Sequence, residues 1–205
     1  MTGGKRGEDK RTALIQATAA LIMEKGIAAT TTREIAERAG STERTLFKQF
    51  GSKNGLLTAV VDIAAKGQLA QSGFATLASA PPPTLAAFEQ WHRELLTERI
   101  GSQATGSEVG RLFLLEIIQN EDFKQRYSGI WSDGVWKPLL NCLDRLKLAG
   151  EIDRAANTML LAQSFLSLNL GYLVSRLNVA PRLDWDTTRD AASIAAFFRN
   201  AASPA

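Results

Sequence analysis

Apolar side chains recur along this chain at intervals of three and four residues, and no stretch of useful length alternates apolar with polar. That spacing is helical, because residues three and four apart share one face of a helix, whereas a strand repeats every second residue. Leu14, Ala17, Thr18, Leu21 and Ile22 predict a helix over Arg11 to Lys25, ended by Gly26. Ile35, Ala36 and Ala39 predict a second, short helix. Thr31 followed by Glu34 has the spacing of a capping box, in which each side chain satisfies a free backbone N–H at the helix start. Gly40 breaks the pattern, and Leu46 and Phe50 resume it in a third helix that opens at Ser41 or Thr42. Leu56, Leu57, Val60, Val61 and Ala64 continue as a connecting helix over residues 54–78, which stops before Pro81-Pro82-Pro83. Further helical patterns follow at Leu85–Ile100, Val109–Asn120, Phe123–Ala149, Ala155–Asn178 and Asp186–Ala202. The predicted fold is all-α, with an N-terminal three-helix domain over 1–53, a connecting helix and linker over 54–80, and a larger helical domain over 81–205.

Two short helices joined by a glycine turn form a helix-turn-helix, the arrangement that lays its second helix in the major groove of DNA. The apolar stripe of Leu46 and Phe50 leaves Glu43, Arg44, Thr45, Lys48 and Gln49 on the other faces. The N-terminal part of that helix meets base edges, which nominates Thr42, Glu43 and Arg44 as readers, with Thr32 and Arg33 close by. Thr45, Lys48, Gln49 and Lys53 are expected to hold phosphates. Charge agrees: residues 1–53 carry ten Lys and Arg against six Asp and Glu, about +4, whereas the remaining fourteen against fifteen give about −1.

The run from Gly26 to Lys53, and above all Thr45-Leu46-Phe47-Lys48-Gln49-Phe50-Gly51, closely resembles the N-terminal domain of the TetR/AcrR family of transcriptional repressors. Thr32 and Arg33 fall on positions that family also uses for DNA. Two residues depart from its pattern. Phe47 stands where the family usually has Tyr and has no hydroxyl for a phosphate, and Ser41 stands where Val is common. The resemblance implies a double-stranded DNA operator, a small-molecule effector bound by the larger domain, and a homodimer formed by the last two helices.

In the larger domain, Met159, Leu160, Leu161, Ala162, Phe165, Leu166, Leu168, Leu170, Leu173 and Val174 leave almost no polar face. Such a helix needs cover on nearly all sides, from its own core or from a second subunit, helped by Ile194, Ala195, Phe197 and Phe198. Phe88, Trp91, His92, Phe113, Trp131, Trp136, Phe165, Asn169 and Tyr172 combine apolar bulk with polar handles. They are either the lining of an effector cavity or an ordinary aromatic core.

Catalysis finds little support. Glu89-x-x-His92 has the spacing of a di-metal helix pair, but there is no second copy, and the chain has one histidine and one cysteine. Gly-x-Ser-x-Gly, phosphate-loop and dinucleotide glycine patterns are missing as well. No cofactor or metal is expected, and Cys142 reads as a small buried apolar residue. No uninterrupted apolar run approaches the ~20 residues of a membrane span, and the N-terminus lacks a signal-peptide pattern, so a cytoplasmic protein is expected. A helical binding or interaction protein without specific DNA binding is the alternative reading.

Overall fold

The computed structural model describes residues 3–70, 73–101 and 108–204 of the chain, and among these all regular structure is helical. The helices are α1 (Gly3–Ala29), α2 (Thr32–Arg38), α3 (Glu43–Phe50), α4 (Lys53–Ala70), α5 (Gly73–Ser79), α6 (Leu85–Gly101), α7 (Glu108–Gln119), α8 (Glu121–Trp131), α9 (Lys137–Leu148), α10 (Thr158–Val174) and α11 (Thr187–Ala202). They gather into two compact units that do not follow chain order: residues 1–66 with 107–127, and residues 67–106 with 128–205.

The first unit is built around α1. Leu14, Ile15, Ala17 and Leu21 meet Ile35 of α2, Leu46 of α3 and Leu56, Ala59 and Val60 of α4. Neighbouring positions on α1 and α4 serve a second cluster, in which Ile22, Leu57 and Val61 pack with Leu112 of α7 and Phe123 of α8. Thus α4 is apolar on two faces because it is covered on two faces. Its contact with α7 is also polar: the Thr58 hydroxyl donates to Glu116 at 3.1 Å, and Asn120 donates to the same carboxylate at 2.8 Å. At Gly26 the backbone turns to φ 82°, breaking α1 where the sequence pattern placed the stop. The approach of α4 to the end of α3 also depends on a glycine, since a Cβ on Gly55 would overlap the carbonyl oxygen of Phe50.

The second unit has its own core, centred on Phe74, Phe88, Trp91, Leu139, Leu143, Leu146, Phe165 and Phe198. Its rings meet edge to face as well as stacked. Phe165 lies 5.9 Å from Trp91, 5.6 Å from Phe88 and 5.2 Å from Phe198, centre to centre. Cys142 is buried here, and its burial pushes the thiol pKa up to about 11.

The connecting helix expected over 54–78 is helical in both of its described parts, α4 and α5, with residues 71 and 72 outside the described segments. Two elements differ from the sequence pattern. The single helix expected over Phe123–Ala149 contains a wider π turn at Ser132–Trp136, in which the Lys137 N–H reaches the Ser132 carbonyl. Pro138 accounts for it, because proline has no N–H to donate one turn back and its ring presses on that turn. Finally, α10 is covered by its own chain on one side only. Phe165, Asn169 and Leu173 are buried, while Leu160 and Leu170 are 59% and 55% exposed.

By length and composition alone the stretch Thr158–Val179 is long and apolar enough to cross a membrane, with mean hydropathy 1.2 and 22% burial over its most apolar part. It also carries Gln163, Ser164, Asn169 and Arg176, polar groups that a lone span would have to place in hydrocarbon.

Gly55→Ala is expected to destabilise the first unit, whereas Gly67→Ala, where a Cβ meets open space within α4, is expected to stabilise by about 0.5–1 kcal/mol. Urea denaturation followed by circular dichroism tests the pair; equal effects would remove the close approach at Gly55 from the reasons for the fold.

Candidate nucleic-acid interface

Helices α2 and α3 have seven and eight residues, so their ends count for much of their backbone hydrogen bonding. Thr31 caps α2 as its pattern requires: its side chain accepts from the Glu34 N–H at 3.3 Å, and the Glu34 carboxylate accepts from the Thr31 N–H at 3.1 Å. Lys25 adds a 2.5 Å ion pair to the same carboxylate, and together these bonds hold its pKa down at about 2, the Lys25 bond contributing most. Gly40 turns the chain with φ 59°. Thr42 then caps α3, accepting from the Thr45 N–H at 3.2 Å.

The caps and the buried Leu46 fix which side chains of α3 face outward. Thr42, Glu43, Arg44 and Lys48 are exposed, and Thr45 and Gln49 are half-buried. Thr32 of α2 donates to the Glu43 carboxylate, joining two of the expected readers directly. Arg33 is exposed beside them but held by Glu37 at 3.0 Å. The structure therefore places Thr32, Arg33, Thr42, Glu43, Arg44, Thr45, Lys48 and Gln49 on the α2–α3 motif, each exposed or half-buried.

Lys53 is placed differently. Its ammonium donates to the Thr30 carbonyl at 2.5 Å and the Ile27 carbonyl at 3.2 Å, so two of its three N–H groups tie the start of α4 to the loop before α2. At most one remains for a phosphate.

Other contributors were not evident in the sequence. Arg11 of α1 donates to the Gln49 carbonyl at 3.3 Å and lies 4.4 Å over the Phe50 ring, setting a positive charge at the C-terminal end of α3. Thirty-eight residues separate the pair, so no local pattern announces it. Glu37 was detectable, being four residues beyond Arg33.

The residues expected around an effector are not all together. Phe88, Trp91, His92, Phe165 and Asn169 share the aromatic core of the second unit. Trp131 and Trp136 stack on each other at its edge, 5.9 Å apart. Tyr172 stands with Arg176, which donates to its hydroxyl at 2.8 Å, and with Asp190 and Trp185. Phe113 belongs to the first unit, packed on Phe123 and Tyr127. Two open cavities of the second unit are lined by other residues. One of about 530 Å3 lies against Leu77, Lys137, Asn141 and Cys142, and one of about 420 Å3 against Ile100, Arg176, Leu183 and Trp185. Glu89 and His92 do not form a ligand pair: Glu89 meets Arg199 at 3.1 Å, and His92 meets Asn169 at 2.8 Å.

A capped helix-turn-helix on a basic head is the arrangement of a DNA-binding domain, and a second helical core lies beyond it in the chain. Residues 14–60 match the family model described as bacterial regulatory proteins, tetR family. Over 48 residues the chain is 44% identical to YvkB of Bacillus subtilis (strain 168), an uncharacterized HTH-type transcriptional regulator, a match spanning 23% of this chain and 25% of that protein. Along nearly the whole chain its fold is similar to solved regulators. A TetR/AcrR-family regulator from Thermobifida fusca gives a TM-score of 0.71 at 17% identity, covering 94% of this chain and 97% of that one. A TetR-family regulator from Mesorhizobium loti gives 0.67 at 19%, covering 97% and 98%. NalD of Pseudomonas aeruginosa, the secondary repressor of a multidrug efflux pump, gives 0.64 at 19%, covering 96% and 97%. Residues 14–60 thus carry the tetR-family pattern, and along nearly the whole chain the fold is that of the solved regulators of this family.

Because folding lowers the pKa of Glu34 from 4.5 to about 2, its bonds stabilise the head above about pH 4.5, and that contribution is lost as pH falls toward 2. Glu34→Gln is expected to make stability less dependent on pH across that window. Urea midpoints measured between pH 5 and pH 2.5 test this, and parallel curves for the two proteins would contradict it.

Proposed function

We propose that the protein is a ligand-responsive transcriptional repressor that binds a near-palindromic operator as a homodimer and is released by a small apolar or amphipathic effector. The observation that carries the reading is α3: capped by Thr42, anchored through Leu46, and presenting Glu43 and Arg44 at its exposed N-terminal end. Thr42, Glu43 and Arg44 read base edges with Thr32 and Arg33, while Thr45, Lys48 and Gln49 hold phosphates. Lys53 contributes through its one uncommitted N–H. The fold's likeness to NalD, a repressor, supports the sign of regulation.

A single helix-turn-helix covers few base pairs, so two copies on inverted half-sites supply the affinity. The surface proposed to join them is the side of α10 and α11 that the chain itself leaves uncovered. On α10, Leu160, Ser164, Ser167 and Gly171 are exposed at intervals of three and four; on α11, Ser193 and the 65% exposed Phe197 follow the same rule. Phe165 and Phe198, whose sequence positions also suited an interface, are buried in their own core. Apolar cover by a second copy accounts for Leu160 and Phe197 in a protein acting on DNA in the cytoplasm. The effector enters the second unit, where the aromatic core lies, and a hundredfold release requires about 2.7 kcal/mol of coupling between ligand and operator.

Fluorescence anisotropy with operator fragments selected from genomic DNA tests the reading. Arg44→Ala is expected to lose about 1–3 kcal/mol of discrimination between operator and random DNA, whereas Lys48→Ala weakens both alike and lowers the salt slope by about one. Failure of the unmutated protein to prefer any fragment would favour a helical binding protein without specific DNA recognition.

Phe197→Asp is expected to give a folded monomer with poor operator affinity, read by light scattering and circular dichroism. An unmutated protein that is monomeric at micromolar concentration would sink the dimer.

A further inference from the structure

His92 is fully buried, and only one of its ring nitrogens has a partner among the described residues. Asn169 determines which. Its Nδ2 donates to the Phe165 carbonyl at 2.6 Å, one turn earlier on α10, which turns Oδ1 toward His92 Nε2 at 2.8 Å. An amide oxygen can only accept, so Nε2 carries the ring proton and Nδ1 is a bare lone pair. Burial holds the imidazole pKa down at about 4, so the ring is neutral near pH 7.

The surroundings of this acceptor are apolar. Ring centres of Phe165, Phe198 and Phe88 lie 4.4, 6.1 and 6.4 Å from that of His92. Glu89, the acid whose charge reaches the imidazole, is itself paired with Arg199 at 3.1 Å. A buried polar atom without a partner is rare in a native core and calls for an occupant.

We infer that His92 Nδ1 is the recognition point for an uncharged, mainly apolar effector that carries a hydroxyl, a phenol or an alcohol, and donates that hydrogen to the imidazole. This rests on the reading that the second unit binds an effector and adds its chemistry. A carboxylate or phenolate would set lone pair against lone pair. An ammonium would bring a charge among rings whose neighbouring carboxylate is already paired. An aromatic ring entering the cluster exchanges its contacts for those now made between Phe88, Phe165 and Phe198, so the bond to Nδ1 is the contact newly gained, and it selects the hydroxyl.

Because the chain has one histidine, labelling an untagged full-length protein with 15N-histidine isolates this ring. The probes are phenol, toluene, benzoate and benzylammonium, with affinities from calorimetry or tryptophan emission. Phenol is expected to bind about five- to tenfold tighter than toluene, the gain of one net hydrogen bond, with the two ions weaker still. It is also expected to move the Nδ1 resonance upfield, which needs no mutant. In His92→Phe the phenol preference should shrink below about twofold. Equal binding of phenol and toluene, or an Nδ1 resonance that phenol leaves in place, overturns the proposal. A resonance already at a hydrogen-bonded position in the free protein and insensitive to phenol assigns the atom to buried water and overturns it too. Failure of effector release itself looks different: phenol binds and shifts Nδ1, but affinity for the selected operator fragment does not change.

Discussion

Everything the head does depends on the burial of Ile35 and Leu46 against α1 and α4. Helices of seven and eight residues do not hold together alone in water, since nucleation costs more than so few bonds return. Packing on Leu14, Leu21 and Leu56 supplies the stability, and it is directional. With Leu46 inward, Arg44 and Lys48 on other sides of α3 are obliged to face solvent. The polar bonds act on top of this. Thr31 and Thr42 start the two helices where the packing needs them, Lys53 ties down the loop before α2, and Arg11 steadies the far end of α3.

A different economy operates in the second unit. Its core is a set of rings whose contacts are numerous and individually weak, into which one histidine and one asparagine are set. Asn169 bonds through both ends of its amide and fixes the tautomer of its neighbour; His92 bonds through one ring nitrogen among the described residues. In a low-dielectric interior an unpaired polar atom is costly, so the free acceptor on His92 is the feature of this core that sets it apart from a plain apolar one.

How far the sequence could be read followed how local each cause was. The capping box, the Gly26 and Gly40 breaks and the Thr42 cap rest on bonds spanning three to five residues, and they appear at the positions their patterns indicate. The uncharged helical character of α10 was equally plain, but not what covers it. Composition alone does not distinguish a helix buried on all sides from one with an exposed apolar flank, and here Leu160 and Leu170 lie on that flank. Between neighbours, Phe197 and Phe198 differ only by the 100° rotation of a helix, and it was packing on His92 and Phe165 that chose Phe198 for the interior.

By itself, then, the order of residues determined an all-helical fold, a helix-turn-helix with a capping box at Thr31 and Glu34, and a positive head, because period, capping chemistry and charge are properties of neighbours in sequence. Only the tertiary structure decided that residues 107–127 join the head, that Lys53 spends its ammonium on two carbonyls, and that Phe113 packs with Phe123 and Tyr127 in the first unit and not in the aromatic core of the second. It decided as well that His92 meets Asn169 from 77 positions away, leaving one nitrogen without a partner among the described residues. Those outcomes depend on which faces find each other in three dimensions, and a long-range partner leaves no periodic mark on the chain that predicts it.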